Sequence, residues 1–330
     1  MKRVQAAGTL VAAALLVPAA VPVAAAEGST LRVAADGSAE HQTITSALEA
    51  AAPGDVILIA PGEYVENPHI DKAVTLRGDG PRADVVIAPD VTALHYLDVP
   101  DTSDSIATHV YVDGVDATLE SLTLADVGDV QAGLMLAGGS PVLRDVSSSR
   151  ITGINGAVDA TIEGSELGRI ILMGADAAMT VRDSVLDDAV LVGMGSTAVL
   201  EDNHILGLPV DVLEDSHLVA IGNTFQPGEG EPAIWVNWTG ATAEIIGNHI
   251  EGAQTGVMVE HGATAHIEGN TIIDPGFGIH VVETGGVIRD NDISGASEAG
   301  ILVSGNGISA EDNTVTGGRV GVIAAVPNGY

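Results

Sequence analysis

The sequence contains no cysteine, which rules out a disulfide framework and any thiolate metal site. Aromatic residues are few: two Trp, four Tyr and two Phe in 330 residues, so any core must be aliphatic. Positive charge is short as well, with 12 Lys and Arg against 45 Asp and Glu and a formal net charge of −33. Nucleic acids and anionic membranes are held by Lys and Arg, and a surface of this sign excludes both as partners. Beyond residue 26 the one lysine is Lys72, and no segment there offers the ~18 unbroken apolar residues of a spanning helix. The calcium loop of EF-hands is missing too. The acidic excess therefore reads first as adaptation to salt or as solubility, and only second as calcium binding.

The chain opens with Met1-Lys2-Arg3, an Ala/Val/Leu run to about Ala20, and the small residues Ala24-Ala25-Ala26. A basic start, an apolar stretch and a small-residue cleavage site describe a secretory signal peptide over 1–26, and Pro18 and Pro22 argue against a retained anchor. The mature chain, 27–330, is expected to be exported, either secreted or periplasmic. It keeps ten basic residues against 45 acidic ones, a net charge of −35. About 300 residues can bury a core without disulfides.

What the sequence does have is a repeat. Asn203 (LEDNHI), Asn223 (AIGNTF), Asn248 (IIGNHI), Asn270 (IEGNTI), Asn291 (IRDNDI) and Asn313 (AEDNTV) sit in one recurring phrase. The same frame continues upstream to Ser184, Ser165, Val146 and Leu122, and from Leu122 onward the successive spacings are 24, 19, 19, 19, 20, 25, 22, 21 and 22. A period near 21 means a solenoid, because one such unit cannot bury its own apolar face and must stack on its neighbours. Each unit reads strand, Asn or Ser turn, strand, Gly turn, strand, with no helix between. That pattern gives an all-β parallel β-helix of ten or more coils, about 48 Å long over ten coils at the usual strand separation. Asn tolerates a left-handed backbone, so each Asn is expected to form the sharp corner itself and to bond to its counterparts along the stack.

Residues 27–116 form a cap and first coils, distinct from the regular coils of 117–326 in a single domain. Ser46-Ala47-Leu48-Glu49 fits a capping box and predicts a short helix over about 44–52. Strands are expected at 55–59, 73–77 and 84–87, and residues 97–108 (LDVPDTSDSIAT) lack periodicity and are expected to loop outward.

The stretch 33–80 resembles the amino-terminal cap of right-handed β-helix proteins of the pectin-lyase-like superfamily. It is most similar to the start of pectin methylesterases, whose Gly-x-Tyr-x-Glu phrase stands here as Gly62-Glu63-Tyr64-Val65-Glu66. The Asn-turn coils resemble repeats of carbohydrate-binding and sugar-hydrolase β-helices, and of periplasmic proteins that help mature nitrous-oxide reductase. The resemblance implies a right-handed helix and a polysaccharide-related role, but not esterase activity. Gln131-Ala132 matches the esterases, whereas the phrases that should carry catalytic carboxylates read Arg150-Ile-Thr-Gly-Ile-Asn155 and Arg169-Ile-Ile-Leu-Met-Gly174. A nucleophilic aspartate and its acid partner have no substitute in Asn and Ile. The Asp-Pro-His-Asp phrase of alginate epimerases is absent as well.

Alternation along the strand after each Gly turn puts pairs such as Ile234/Val236, Val257/Val259 and Ile279/Val281 inward. The residues left outward are Met135, Ile171, Leu191, Asp211, Trp235, Met258, His280, Leu302 and Ile323. An apolar stripe of that length requires burial against something: a covering loop, a second subunit in a homo-oligomer, or a glycan. Trp235, Asn237 and Trp238 bring both tryptophans together beside an amide and suit sugar stacking. With Met258 and His280 they are the candidate binding residues, and Asp211 and His280 are the candidate catalytic ones. Asp98, Asp101 and Asp104 are the candidates for calcium. The sequence thus points to recognition of an extracellular polysaccharide or protein partner through the long parallel face. A polysaccharide lyase or hydrolase and a structural assembly protein are the alternatives.

Overall fold

A computed structural model of the chain describes residues 28–98, 105–125, 132–154, 157–283, 285–305 and 307–325. The signal-peptide reading of 1–26 falls outside these residues, as do Asp101, Asp104 and the side chain of Asp98. The described chain winds into a parallel β-solenoid of about 13 turns with three long sheets. The first sheet runs from Thr30–Val33 and Val56–Ile59 to Ile308–Glu311, the second from Gly62–Val65 and Val85–Ala88 to Thr314–Thr316. The third begins with His69–Ile70, Ser105–Val112 and Ala132–Leu136 and ends with Val322–Ala325.

Neighbouring coils stack in register, so like residues meet. Ile57, Leu76, Leu119, Leu143, Ile162, Val181 and Leu200 are successive partners in the first sheet. All are fully buried or nearly so, each contributing roughly 1.5–3 kcal/mol of transfer free energy. At the outer edge of the same sheet the partners alternate in charge: Arg77, Glu120, Arg144, Glu163, Arg182, Glu201. Glu163 takes hydrogen bonds from both flanking arginines, at 3.0 Å and 2.8 Å, and these hold its carboxyl below the usual range. Most of the chain's few cations are thus engaged by the scaffold.

The corners correct one expectation. The left-handed residue is the one before each Asn, not the Asn: Asp202, Gly222, Gly247, Gly269, Asp290 and Asp312 all have φ between 54° and 67°. Asn is thereby free to turn inward, where Asn203, Asn223, Asn248, Asn270 and Asn291 are at most 2 % exposed. From Asn223 onward, each side-chain oxygen accepts from the backbone N–H and the amide of the Asn one coil earlier, as Asn248 Oδ1 does from Asn223 at 2.9 and 3.0 Å. Each amide also donates to a strand carbonyl, that of Asn248 to Ala220 O at 2.8 Å. Upstream, Ser184 and Ser165 continue the stack through their hydroxyls.

The helix is present at Ile44–Ala50, but its N-cap is Thr43, whose side chain accepts from Ser46 N. The capping box read on Ser46 therefore lies three positions late. The second cap comes from far along the chain: Glu66 accepts from Ile44 N at 2.8 Å and Thr45 N at 2.7 Å, a carboxylate at a helix start. In the same Gly62–Glu66 phrase, Tyr64 is 3 % exposed and donates to Ala60 O at 2.8 Å. The Gly62–Glu66 phrase thus docks the cap onto the first coils. Residues 97–108 are not a plain outward loop either, since His95–Asp98 pairs antiparallel with the start of Ser105–Val112 as a hairpin.

Candidate functional site

The outward residues of the third sheet form one register column. From the amino-terminal end its partners are His69, Tyr111, Met135, Thr152, Ile171, Leu191, Asp211, Trp235, Met258, His280, Leu302 and Ile323. Inward neighbours such as Ile234, Val236, Val257, Val259 and Ile279 are fully buried, as alternation requires. Met135 departs from the expected exposed stripe: it is fully buried in a satellite cluster with Ala132 and Ile154, against which Ile106 and Tyr111 of the hairpin strand and Met173 pack. The protein's own chain covers the stripe there. From Ile171 to Leu302 the column is half-buried, its side chains shielding one another.

Around Trp235 the column gains polar chemistry. The indole N–H of Trp235 donates to Glu260 Oε1 at 3.0 Å. Glu260 pairs in register with Asn237, the next outward residue along the sheet, and its side chain is 15 % exposed. Asn237 Oδ1 lies 2.8 Å from His261 Nδ1, and the His261 ring stacks on Trp238 with centroids 5.2 Å apart. Trp238 occupies a left-handed corner (φ 79°) that projects its ring outward, leaving it 51 % exposed rather than tucked beneath the coil. One coil further, His280 stacks on Phe277 at 5.3 Å, and burial lowers its pKa while Glu260 pulls the other way. Trp235, Asn237, Trp238, Met258 and His280 therefore share one face, as the sequence implied.

Asp211 stands on this face between Leu191 and Trp235. Its Oδ1 is buried with no hydrogen-bond partner among the described residues, and burial pushes the carboxyl up to about 6. A folded-state pKa above the ordinary value of 3.8 means stability is fully present below pH 3.8 and lost as pH rises through about 6. Asp211→Asn should therefore stabilise the protein at pH 8 by roughly 1–2 kcal/mol after allowance for partial exposure, and by nothing near pH 4. Thermal melts at the two pH values check this, and an equal shift at both would contradict it.

Glu260 and Phe277 escaped the sequence reading, although two-residue alternation from Met258 reaches Glu260 directly, and His261 is no candidate there because the histidines of consecutive coils fall on differing faces. A second aromatic group lies at the column's amino-terminal end. His69 stacks on Tyr111 at 4.9 Å, and Asp113 accepts from the Tyr111 hydroxyl at 3.0 Å and lies 3.1 Å from His69 Nε2. Burial, with Asp113 beside it, pushes the Tyr111 phenol up to about 12. Asp116, near the expected calcium loop, accepts from Ser140 N at 2.7 Å. Among the described residues no group of three or more His, Asp or Glu is arranged to hold a metal ion, and none of their helices is long and apolar enough to cross a membrane.

A family model described as "Right handed beta helix region" matches residues 108–286 and 169–326. No curated protein matches the chain. Among solved structures, the catalytic domain of a GH87 α-1,3-glucanase in complex with nigerose aligns with TM-score 0.51 at 13 % identity, over 86 % of this chain and 64 % of that one. The catalytic unit of a thermostable GH87 α-1,3-glucanase from Streptomyces thermodiastaticus strain HF3-3 gives TM-score 0.46 at 16 %, over 90 % and 69 %. The pectin methylesterase from Yersinia enterocolitica gives 0.35 at 15 %, over 63 % and 79 %. At identities of this size the likeness is one of fold.

Proposed function

Because the chain belongs to the right-handed β-helix family, we propose that it is an exported protein of the pectin-lyase-like superfamily that recognises a polysaccharide along the outer face of its third sheet. The observation that carries this reading is the pairing of the chain's two tryptophans on one face: Trp235 on the sheet and Trp238 at its edge, with Glu260, Asn237 and His261 between and beside them. Aromatic rings offer the apolar faces of sugar rings a flat partner, and the flanking carboxylate and amide accept hydroxyl protons. Polyuronates fit poorly, since no Lys or Arg occurs from residue 184 to 288 to meet their carboxylates. Esterase chemistry finds no support either, because residues 150–154 and 169–173, where the esterase phrases would place their carboxylates, include no Asp or Glu.

The test is binding to a panel of soluble neutral and acidic polysaccharides by affinity electrophoresis and calorimetry. Trp235→Ala and Trp238→Ala are each expected to weaken binding roughly 10-fold, from lost stacking and lost buried area. A ligand that binds both variants as it binds the wild type would remove this face from consideration. A second reading is glycoside hydrolysis, favoured by the partly desolvated, protonatable Asp211 on the same face. Release of reducing ends, abolished by Asp211→Asn with binding retained, would establish it over simple recognition.

A further inference from the structure

The charge of the chain is unevenly placed. From residue 184 to 288 there are 15 Asp and Glu and no Lys or Arg, and this span supplies the whole third-sheet face from Leu191 to Val282. The cations that bracket it, Arg182 and Arg289, lie on the first sheet and are engaged by Glu163 and Glu268. Two carboxylates flank Trp235 itself. Asp211 is its direct partner on the coil before, with Oδ1 buried and without a hydrogen-bond partner among the described residues. Glu260 is on the coil after, diagonal to Trp235 and in register with Asn237, its side chain only 15 % exposed; the indole N–H donates to it at 3.0 Å and His261 Nδ1 lies 3.6 Å away.

A half-buried carboxylate in an apolar column is unfavourable unless a cation or a set of donors meets it, and hydroxyls satisfy its lone pairs without neutralising its charge. An indole face attracts ammonium through its quadrupole. A carboxylate directly before the indole and a second one diagonal to it on the next coil, with coils about 4.8 Å apart, make a cradle for a cation rather than for a neutral hydroxyl. The long-range field of a body carrying −35 in its mature form draws in a polymer of opposite sign. We infer that the polysaccharide recognised here carries free ammonium groups, as a polymer of deacetylated amino sugars does, and that one ammonium seats over Trp235 between Asp211 and Glu260. This rests on the polysaccharide-recognition reading above and names its ligand class.

The experiment compares three oligosaccharides of equal length at pH 7 by calorimetry: a fully deacetylated β-linked glucosamine oligomer, its N-acetylated form, and a neutral glucose oligomer. The deacetylated oligomer should bind at least ~10-fold tighter than the acetylated one. The preference should shrink as salt rises and fall to near unity in Asp211→Asn combined with Glu260→Gln, variants that keep shape and hydrogen-bonding capacity. Thermal melts confirm that the double variant is folded, and quenching or shift of Trp235 fluorescence, absent in Trp235→Phe, reports seating at the cradle. Equal binding of acetylated and deacetylated oligomers would overturn the inference and leave polysaccharide recognition standing. A deacetylation preference unchanged in the double variant would also overturn it, assigning the effect to the general acidic surface. Failure of all three oligomers and of the wider panel to bind would remove both readings.

Discussion

Asn248→Ala is expected to destabilise the protein by about 3–5 kcal/mol, whereas Asn313→Ala, the same substitution at the end of the same stack, should change it by about 1 kcal/mol. At position 248 the side chain is 1 % exposed and sits mid-ladder. Its oxygen is the acceptor for the backbone N–H and the amide of Asn223, and its own amide donates to Ala220 O and to Asn270 Oδ1. Truncation strands two donors and a carbonyl where water does not reach, each at a penalty of roughly 1–3 kcal/mol, and opens a small cavity. Asn313 serves Asn291 in the same way, at 3.0 and 2.8 Å, and donates to Ile288 O and Glu311 O. It is half-exposed, so solvent replaces what is lost. Urea titrations followed by far-UV circular dichroism separate the two variants. Equal effects, or an Asn248→Ala change under about 1 kcal/mol, would mean that the ladder contributes shape and not stability.

His109→Phe is expected to remove most of an acid-induced loss of about 3 kcal/mol between pH 6.5 and 4. His109 is 0 % exposed, lies two positions before Tyr111 on the same strand, and has no hydrogen-bond partner for either ring nitrogen among the described residues. Burial, with His95 nearby as a lesser cause, brings its pKa down to about 4 from 6.5. A depressed folded-state value means the stability is fully present above pH 6.5. It is lost as pH falls, because the unfolded chain takes up the proton that the folded chain refuses, at roughly 1.4 kcal/mol per pH unit. Asp211 acts in the opposite sense over part of this window, so the quantity to follow is the difference between His109→Phe and wild type, not the wild-type curve alone. A difference that stays flat from pH 7.5 to 4 would show that the ring is solvated or partnered. Phenylalanine keeps the ring volume, which limits the cavity contribution.

Much of this architecture is legible from a repeat whose period is near 21. The period requires stacking, and stacking in register converts a one-dimensional pattern into columns. For that reason the inward aliphatic pairs and the shared face of Asp211, Trp235, Met258 and His280 emerge from the sequence with correct neighbours. The corner conformation was misplaced by one position because Asn and the Asp or Gly before it both tolerate positive φ, and composition does not say which one bends. Packing decides: the ladder's hydrogen bonds need Asn inside, so the preceding residue takes the bend.

Other features depend on residues far apart in the chain. Glu66 capping the helix at Ile44, and Ile106 packing against the cluster that buries Met135, are unions of separate stretches with no local period to announce them. The Glu260–Trp235 and His261–Trp238 pairs lie across coils of unequal length, and the long step from Asn223 to Asn248 obscures which residues align until backbone register is known.

By itself, then, the sequence determined a solenoid, its aliphatic core, its asparagine stack and the one face that carries both tryptophans, because each follows from periodicity and side-chain alternation alone. Tertiary structure decided that the Gly62–Glu66 phrase docks a cap, that Met135 is buried in a cluster against which the hairpin strand packs, and that Trp235 stands next to Asp211 and donates to Glu260. Those outcomes depend on which coils lie side by side and how far each turn projects, quantities set by packing in three dimensions and carried by no single stretch of chain.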